Sequence, residues 1–137
     1  YLEALSERGD CSIHYGQYLD TPRKCPYCGR VDTVPKEKMT DLLIGLEMFG
    51  DAMSDAYDTC LLVSGDSDLL AAIQKVRNVS PRKWIVVAFP PLRHSAALET
   101  AADVSFTIGR GKLASAQLPE QIRKADGYVL HRPAHWS

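Results

Sequence analysis

The chain has 137 residues, is 45% hydrophobic and 24% charged, and carries a net charge of −1 at pH 7. Those values describe an ordinary folded domain with a real core, and apolar runs no longer than a strand exclude a membrane-spanning helix. The balance hides an asymmetry: residues 1–69 hold 6 basic and 13 acidic side chains (net −7), while residues 70–137 hold 10 and 4 (net +6). An acidic half joined to a basic half suits a metal site beside a phosphate-binding surface. Charges spread unevenly over solvated faces would give the same count.

In chain order, Tyr1-Leu2-Glu3-Ala4-Leu5 lacks the basic start and apolar stretch of a signal peptide. Residues 1–8 read as the end of a helix, and residues 12–19 as a strand in which Gly16 marks a bulge. Residues 20–35, rich in Pro, Gly, Asp and Cys, read as a cysteine-containing loop insertion. Residues 37–53 predict a helix whose buried stripe is Met39, Leu42, Leu43, Leu46, Phe49 and Met53. A strand follows over 59–63, then a helix striped by Leu69, Leu70, Ile73 and Val76, and a second buried strand over 84–89. A helix over 95–102, a strand over 104–108, a short helix near 110–116 and a tail strand near 128–130 complete the pattern. The alternation from 37 to 108 predicts an α/β domain with a mostly parallel, doubly covered sheet. The whole of 1–137 reads as one domain, with 119–137 a C-terminal extension.

The run Cys60-Leu-Leu-Val-Ser64-Gly-Asp66-Ser-Asp68 ends a buried strand in two aspartates one residue apart. Ligands of open α/β sheets bind at that edge. Crowded carboxylates repel unless a cation lies between them, and oxygen donors favour Mg²⁺ or Mn²⁺. Asp41, in the first turns of the preceding helix, can face Asp66 if that helix packs beside the strand, and Glu47 lies six residues further along. Each acid alone is explained as a helix cap or a first-turn charge; the set together is not. Arg93 and His94 follow Pro90-Pro91 at the same sheet edge, where a pair of cations clamps phosphate. His94 also suits an ordinary helix start.

Glu37-Lys38-Met39-Thr40-Asp41, the Ser64–Asp68 strand end, Val87-Ala-Phe-Pro-Pro91, Arg93-His94-Ser95 and Arg132-Pro133-Ala134-His135-Trp136 together resemble the NYN domain family of PIN-like nucleases. The resemblance implies a PIN-like three-layer α/β/α fold and metal-dependent hydrolysis of RNA phosphodiesters. It makes Asp41, Asp66 and Asp68 catalytic metal ligands for Mg²⁺ or Mn²⁺, with Ser64 shaping the site and Lys38 touching a phosphate. Asp103 matches a further acidic position, or caps a turn before Val104. Such folds open with a strand ending in aspartate, and no such segment precedes Tyr1. Either that strand lies upstream in a longer protein, which is the better reading, or the chain is defective in catalysis. An inactive RNA-binding or protein-interaction module is therefore the alternative function, and a phosphatase-type enzyme would need a closed pocket.

Cys25-Pro-Tyr-Cys28-Gly29 resembles a glutaredoxin active site, but a redox cysteine needs a helix amino terminus and this segment reads as a loop. The spacing suits a zinc knuckle, in which glycine lets amides turn toward the sulfurs. Zinc wants four ligands, and Cys11, His14 or a second chain are the sources for the rest; two reduced surface cysteines without metal remain the plain alternative. This cysteine usage fits a reducing, cytoplasmic compartment. RNA is the expected partner, no membrane is, and a homo-oligomer is compatible with the sequence.

Overall fold

The structure, a computed structural model, describes residues 1–9 and 11–136, without the side chain of Trp136. The elements are α1 (Leu2–Arg8), β1 (Gln17–Lys24), β2 (Val31–Lys38), α2 (Thr40–Met53), β3 (Thr59–Val63), a 3₁₀ turn (Ser67–Leu69), α3 (Leu70–Val79), β4 (Trp84–Phe89), α4 (Ala96–Ala101), β5 (Val104–Thr107), α5 (Arg110–Ser115), β6 (Gln121–Arg123), β7 (Val129–His131) and a last 3₁₀ turn (Ala134–Trp136). They form two compact units, residues 15–108 and residues 1–14 with 109–137. No described helix is long and apolar enough to cross a membrane.

In the larger unit β3, β4 and β5 make a parallel sheet in that order. The apolar runs that predicted β3 and β4 fall on the observed strands residue for residue. Alternate residues then divide between faces. Leu62, Ile85, Val87 and Phe89 point to one side and join Met48, Ala52, Leu69, Ile73, Val76 and Leu98 in the core. On the other side Leu61, Val63, Trp84, Val104 and Phe106 are all 46–57% exposed. Topology explains the contrast. Right-handed crossovers between strands added in one direction put every connecting helix on the same face. The described unit is thus α/β with two layers.

The helix expected from 37 begins at Thr40, because Glu37 and Lys38 complete β2 and Met39 turns the chain with φ 79°. Glu37 then caps the helix from outside, its Oε1 accepting the Thr40 N–H at 3.1 Å and the Thr40 hydroxyl as well. The expected stripe is also corrected. Met48 and Ala52 are the buried residues of α2, while Leu42, Leu46 and Met53 are more than half exposed. A helix apolar on several sides, as Leu42 to Phe49 is, does not reveal by its period which side will be covered.

The segment read as a loop over 20–35 is the larger correction. β1 and β2 pair antiparallel from Gln17↔Lys38 to Lys24↔Val31, leaving a six-residue turn from Cys25 to Arg30. Pro22 and Pro35 argued against strands, but a two-stranded ribbon consists only of edges, where a missing N–H is tolerated. Gly16 lies just before β1 rather than in a bulge: a Cβ there would come within 2.9 Å of the Lys38 carbonyl.

In the smaller unit, β6 and β7 form a short antiparallel pair, and Lys124 bonds Glu3 at 2.7 Å. The tail strand expected near 128–130 is β7, Val129–His131.

Candidate metal centre

β3 ends at Val63, and the next five residues fold back on themselves. The Ser64 hydroxyl accepts the Asp66 N–H at 3.1 Å, and Asp66 Oδ1 accepts the Asp68 N–H at 3.0 Å. Asp66 therefore caps the 3₁₀ turn, as the single-residue reading allowed, while its second carboxylate oxygen has no such duty. Asp41 lies in the first turn of α2, exposed, and lines the same cleft between α2 and α3 as Asp68.

Electrostatics ties these acids together. The Asp41 carboxyl is held above the ordinary aspartate range, first by desolvation, then by the negative charges of Asp66, Glu37 and Asp68. The sequence proposed Asp41 opposite Asp66 and Asp68, and the fold brings the three within electrostatic reach. Among the described residues, no three His, Cys, Asp or Glu side chains close into a metal-holding group. The donor set is nevertheless all oxygen and carries surplus negative charge, which fits a hard divalent cation.

The loop after β4 borders this cluster through Gly65. A Cβ on Gly65 would lie 2.9 Å from Arg93 Cβ and 3.3 Å from the His94 backbone nitrogen. Arg93 is exposed and makes no ion pair among the described residues. His94 is held by the fold instead: its ring lies 4.5 Å from the Phe89 ring, and its Nε2 is 3.3 Å from Glu99. Lys38 is the last residue of β2, three before Asp41.

A family model for the NYN domain matches residues 18–109. The chain belongs to the NYN domain family. Members of this family are generally nucleases, typically dependent on a divalent metal, and the domain suggests interaction with RNA. None of the curated proteins matches the chain. The crystal structure of VPA0982, a protein of unknown function from Vibrio parahaemolyticus, shares the fold with a TM-score of 0.57 at 20% identity. That match covers 80% of this chain, which spans 59% of the Vibrio chain.

The NYN match includes all three aspartates, Arg93 and the hairpin except Gln17. Asp103 lies elsewhere in the sheet. Its Oδ2 accepts the Ile85 N–H at 2.8 Å and meets Arg77 at 3.0 Å, so it fixes the amino ends of β4 and β5. Those bonds, the Ile85 N–H first, hold its carboxyl below the ordinary range. Three further residues at the site were missed. Gly65 was legible only as part of a motif. Leu92 stands 90% exposed with φ 63° beside the acid-bearing edge, announced by nothing but Pro90-Pro91. Lys75 lines the Asp41–Asp68 cleft and lies 5.9 Å over the Phe49 ring.

Cys25 and Cys28 occupy the hairpin turn, and no helix begins there, which removes the redox reading. The Cys25 thiol is held below its ordinary value by the Cys28 N–H first, then the Tyr27 N–H and the Cys28 thiol. Within residues 15–108 no third His, Cys, Asp or Glu closes a metal group around the pair.

Proposed function

We propose that this chain hydrolyses RNA phosphodiesters with Mg²⁺ or Mn²⁺ held by Asp41, Asp66 and Asp68. The observation that carries the reading is the placement of Asp41, on α2, in one cleft with Asp68, beside the Asp66 turn at the carboxyl end of a parallel strand. Bound there, the ion would acidify a water and offset charge on the phosphate. The chain's own residues do the rest. Ser64 fixes the backbone that carries Asp66, and Arg93 binds the phosphate approaching the same edge. Lys38 and Lys75 lie on the flanks of Asp41, on β2 and α3, and would steer a polyanion toward it. His94 supports the Arg93 loop through Phe89 and Glu99. Four free thiols suit a cytoplasmic setting.

The test is cleavage of a generic single-stranded RNA with Mn²⁺, with and without chelator. Asp66→Asn keeps the oxygen that caps Asp68 and removes the charge, so the fold should persist. Cleavage should fall at least about 100-fold, the upper end of what even outer-shell changes cost at metal sites. Undiminished cleavage would refute the assignment.

One observation favours a second reading, an RNA-binding module without cleavage: the three aspartates are not closed into a ligand group. Retained RNA binding with no metal-dependent product at any Mn²⁺ concentration would select it.

A further inference from the structure

The cleft that Asp41 and Asp68 line continues along α2 and α3, away from the acids. Both helices start at the acid end: Asp41 lies in the first turn of α2, and Asp68 in the 3₁₀ turn that leads into α3. From there they run side by side. Gly45 and Ala72 meet midway, where a Cβ on the glycine would lie 3.3 Å from the Ala72 Cβ. At the far end the Lys75 ammonium stands 5.9 Å from the centre of the Phe49 ring. The helical rise puts Lys75 about 10 Å from Asp68 along the chain axis. Between the two ends the lining is almost wholly apolar, with Leu42 and Leu46 along α2. Both leucines are more than half exposed, so packing in the core does not account for them.

Acids that suit a cation, an apolar wall and an ammonium follow one another along this cleft. A nucleic-acid strand presents the matching order of phosphate, base and phosphate. We propose that the α2–α3 cleft is a base subsite: Leu42, Leu46 and Phe49 hold the nucleobase beside the phosphate at Asp41 and Asp68, and Lys75 pairs with a following phosphate. The subsite rests on the nuclease reading for the phosphate at the acids, and on the lining of the cleft for the base. Charge favours this occupant. An apolar segment of a protein would cover the leucines and leave Lys75 unmatched. A polyanion supplies the missing charge there, and reaches the acids through the cation they hold. Among the described residues Lys75 makes no ion pair that a phosphate would have to displace. Every base has a face that lies flat on such side chains, so the subsite selects for the presence of a base rather than its identity.

The test is RNA binding by the full chain in Mn²⁺, with cleavage suppressed by Asp66→Asn. Fluorescence anisotropy compares a short single-stranded RNA with copies lacking one base, an abasic ribose being placed at each position in turn. Loss of the base that enters the cleft should weaken binding at least about fivefold. Leu46→Ser on the same parent should bind intact RNA more weakly and lose the preference for that base. Lys75→Gln should weaken intact and abasic RNA alike and lower the salt slope by about one. Circular dichroism checks that each variant folds; if Leu46→Ser does not, the abasic series and Lys75→Gln still decide. RNA bound with this base preference, but never cleaved by the wild type, would end the nuclease reading and leave the subsite standing. Cleavage by the wild type with equal binding of every abasic RNA would do the reverse. A folded Leu46→Ser with the full base preference, an unchanged salt slope in Lys75→Gln, or no RNA binding at all would each overturn the subsite.

Discussion

Gly65 and Arg93 are in close contact across the carboxyl edge of the sheet: a Cβ on the glycine would stand 2.9 Å from the arginine's Cβ and 3.2 Å from its carbonyl carbon. The obstacle is backbone and side-chain root, neither of which swings away. Gly65→Ala should therefore displace the Arg93 loop, costing about 1–3 kcal/mol in denaturant unfolding. RNA cleavage should fall further than the loss of folded protein explains. An alanine variant with wild-type stability would mean that the contact is looser than described.

Among the described residues the Arg93 side chain makes no ion pair. Arg93→Ala should leave stability within about 0.5 kcal/mol, as surface substitutions do. RNA affinity should weaken, most clearly at low salt, because a phosphate contact is lost. Equal binding by both proteins across a salt series would remove Arg93 from the substrate surface.

Asp41 has its carboxyl raised by desolvation and by Asp66, Glu37 and Asp68. A raised folded-state value means stability that is full below the unfolded aspartate range and is lost as pH rises through the folded value. In chelator at pH 7, Asp41→Asn should thus be more stable than the wild type, and the difference should vanish below about pH 4. Added Mn²⁺ should stabilise the wild type more than the variant. Thermal unfolding in the four conditions checks both signs.

Asp103 shows the opposite sign. Its carboxyl is lowered by the Ile85 N–H and by Arg77, so it contributes stability above the unfolded aspartate range, lost as pH falls through the depressed value. Asp103→Ala strands the N–H of the fully buried Ile85 and should cost about 1–3 kcal/mol at neutral pH. The deficit should shrink in acid, and cleavage per folded molecule should not change.

Gly16→Ala tests the join between hairpin and helix. The added methyl would meet the Lys38 carbonyl at 2.9 Å and crowd the Glu37 and Thr40 side chains that cap α2. A cost of about 1–3 kcal/mol is expected by equilibrium unfolding, with reduced cleavage because Asp41 sits in the first turn beyond that cap.

The parts legible in the sequence are those where local chemistry and tertiary demand agree. β3 and β4 were readable because a short continuous apolar run between turn residues suits a strand packed on helices, which here cover one face only, and the Ser64–Asp68 motif because two charges after such a run exceed what one cap needs. Residues 20–35 misled because proline and glycine report local preference, whereas a ribbon made only of edges accepts both. The stripe on α2 misled because apolar residues surround the helix.

The sequence by itself determined the α/β alternation and the strand that leads into Asp66 and Asp68, since each rests on residues adjacent in the chain. Only the tertiary structure decided which face of α2 is buried, that Asp41 shares its electrostatic surroundings with Asp66, Glu37 and Asp68, that Gly65 seats the Arg93 loop, and that Asp103 braces β4 instead of joining the acids. Those facts depend on contacts between segments far apart in sequence, where burial and charge repulsion are properties of the packed arrangement and of no single stretch of chain.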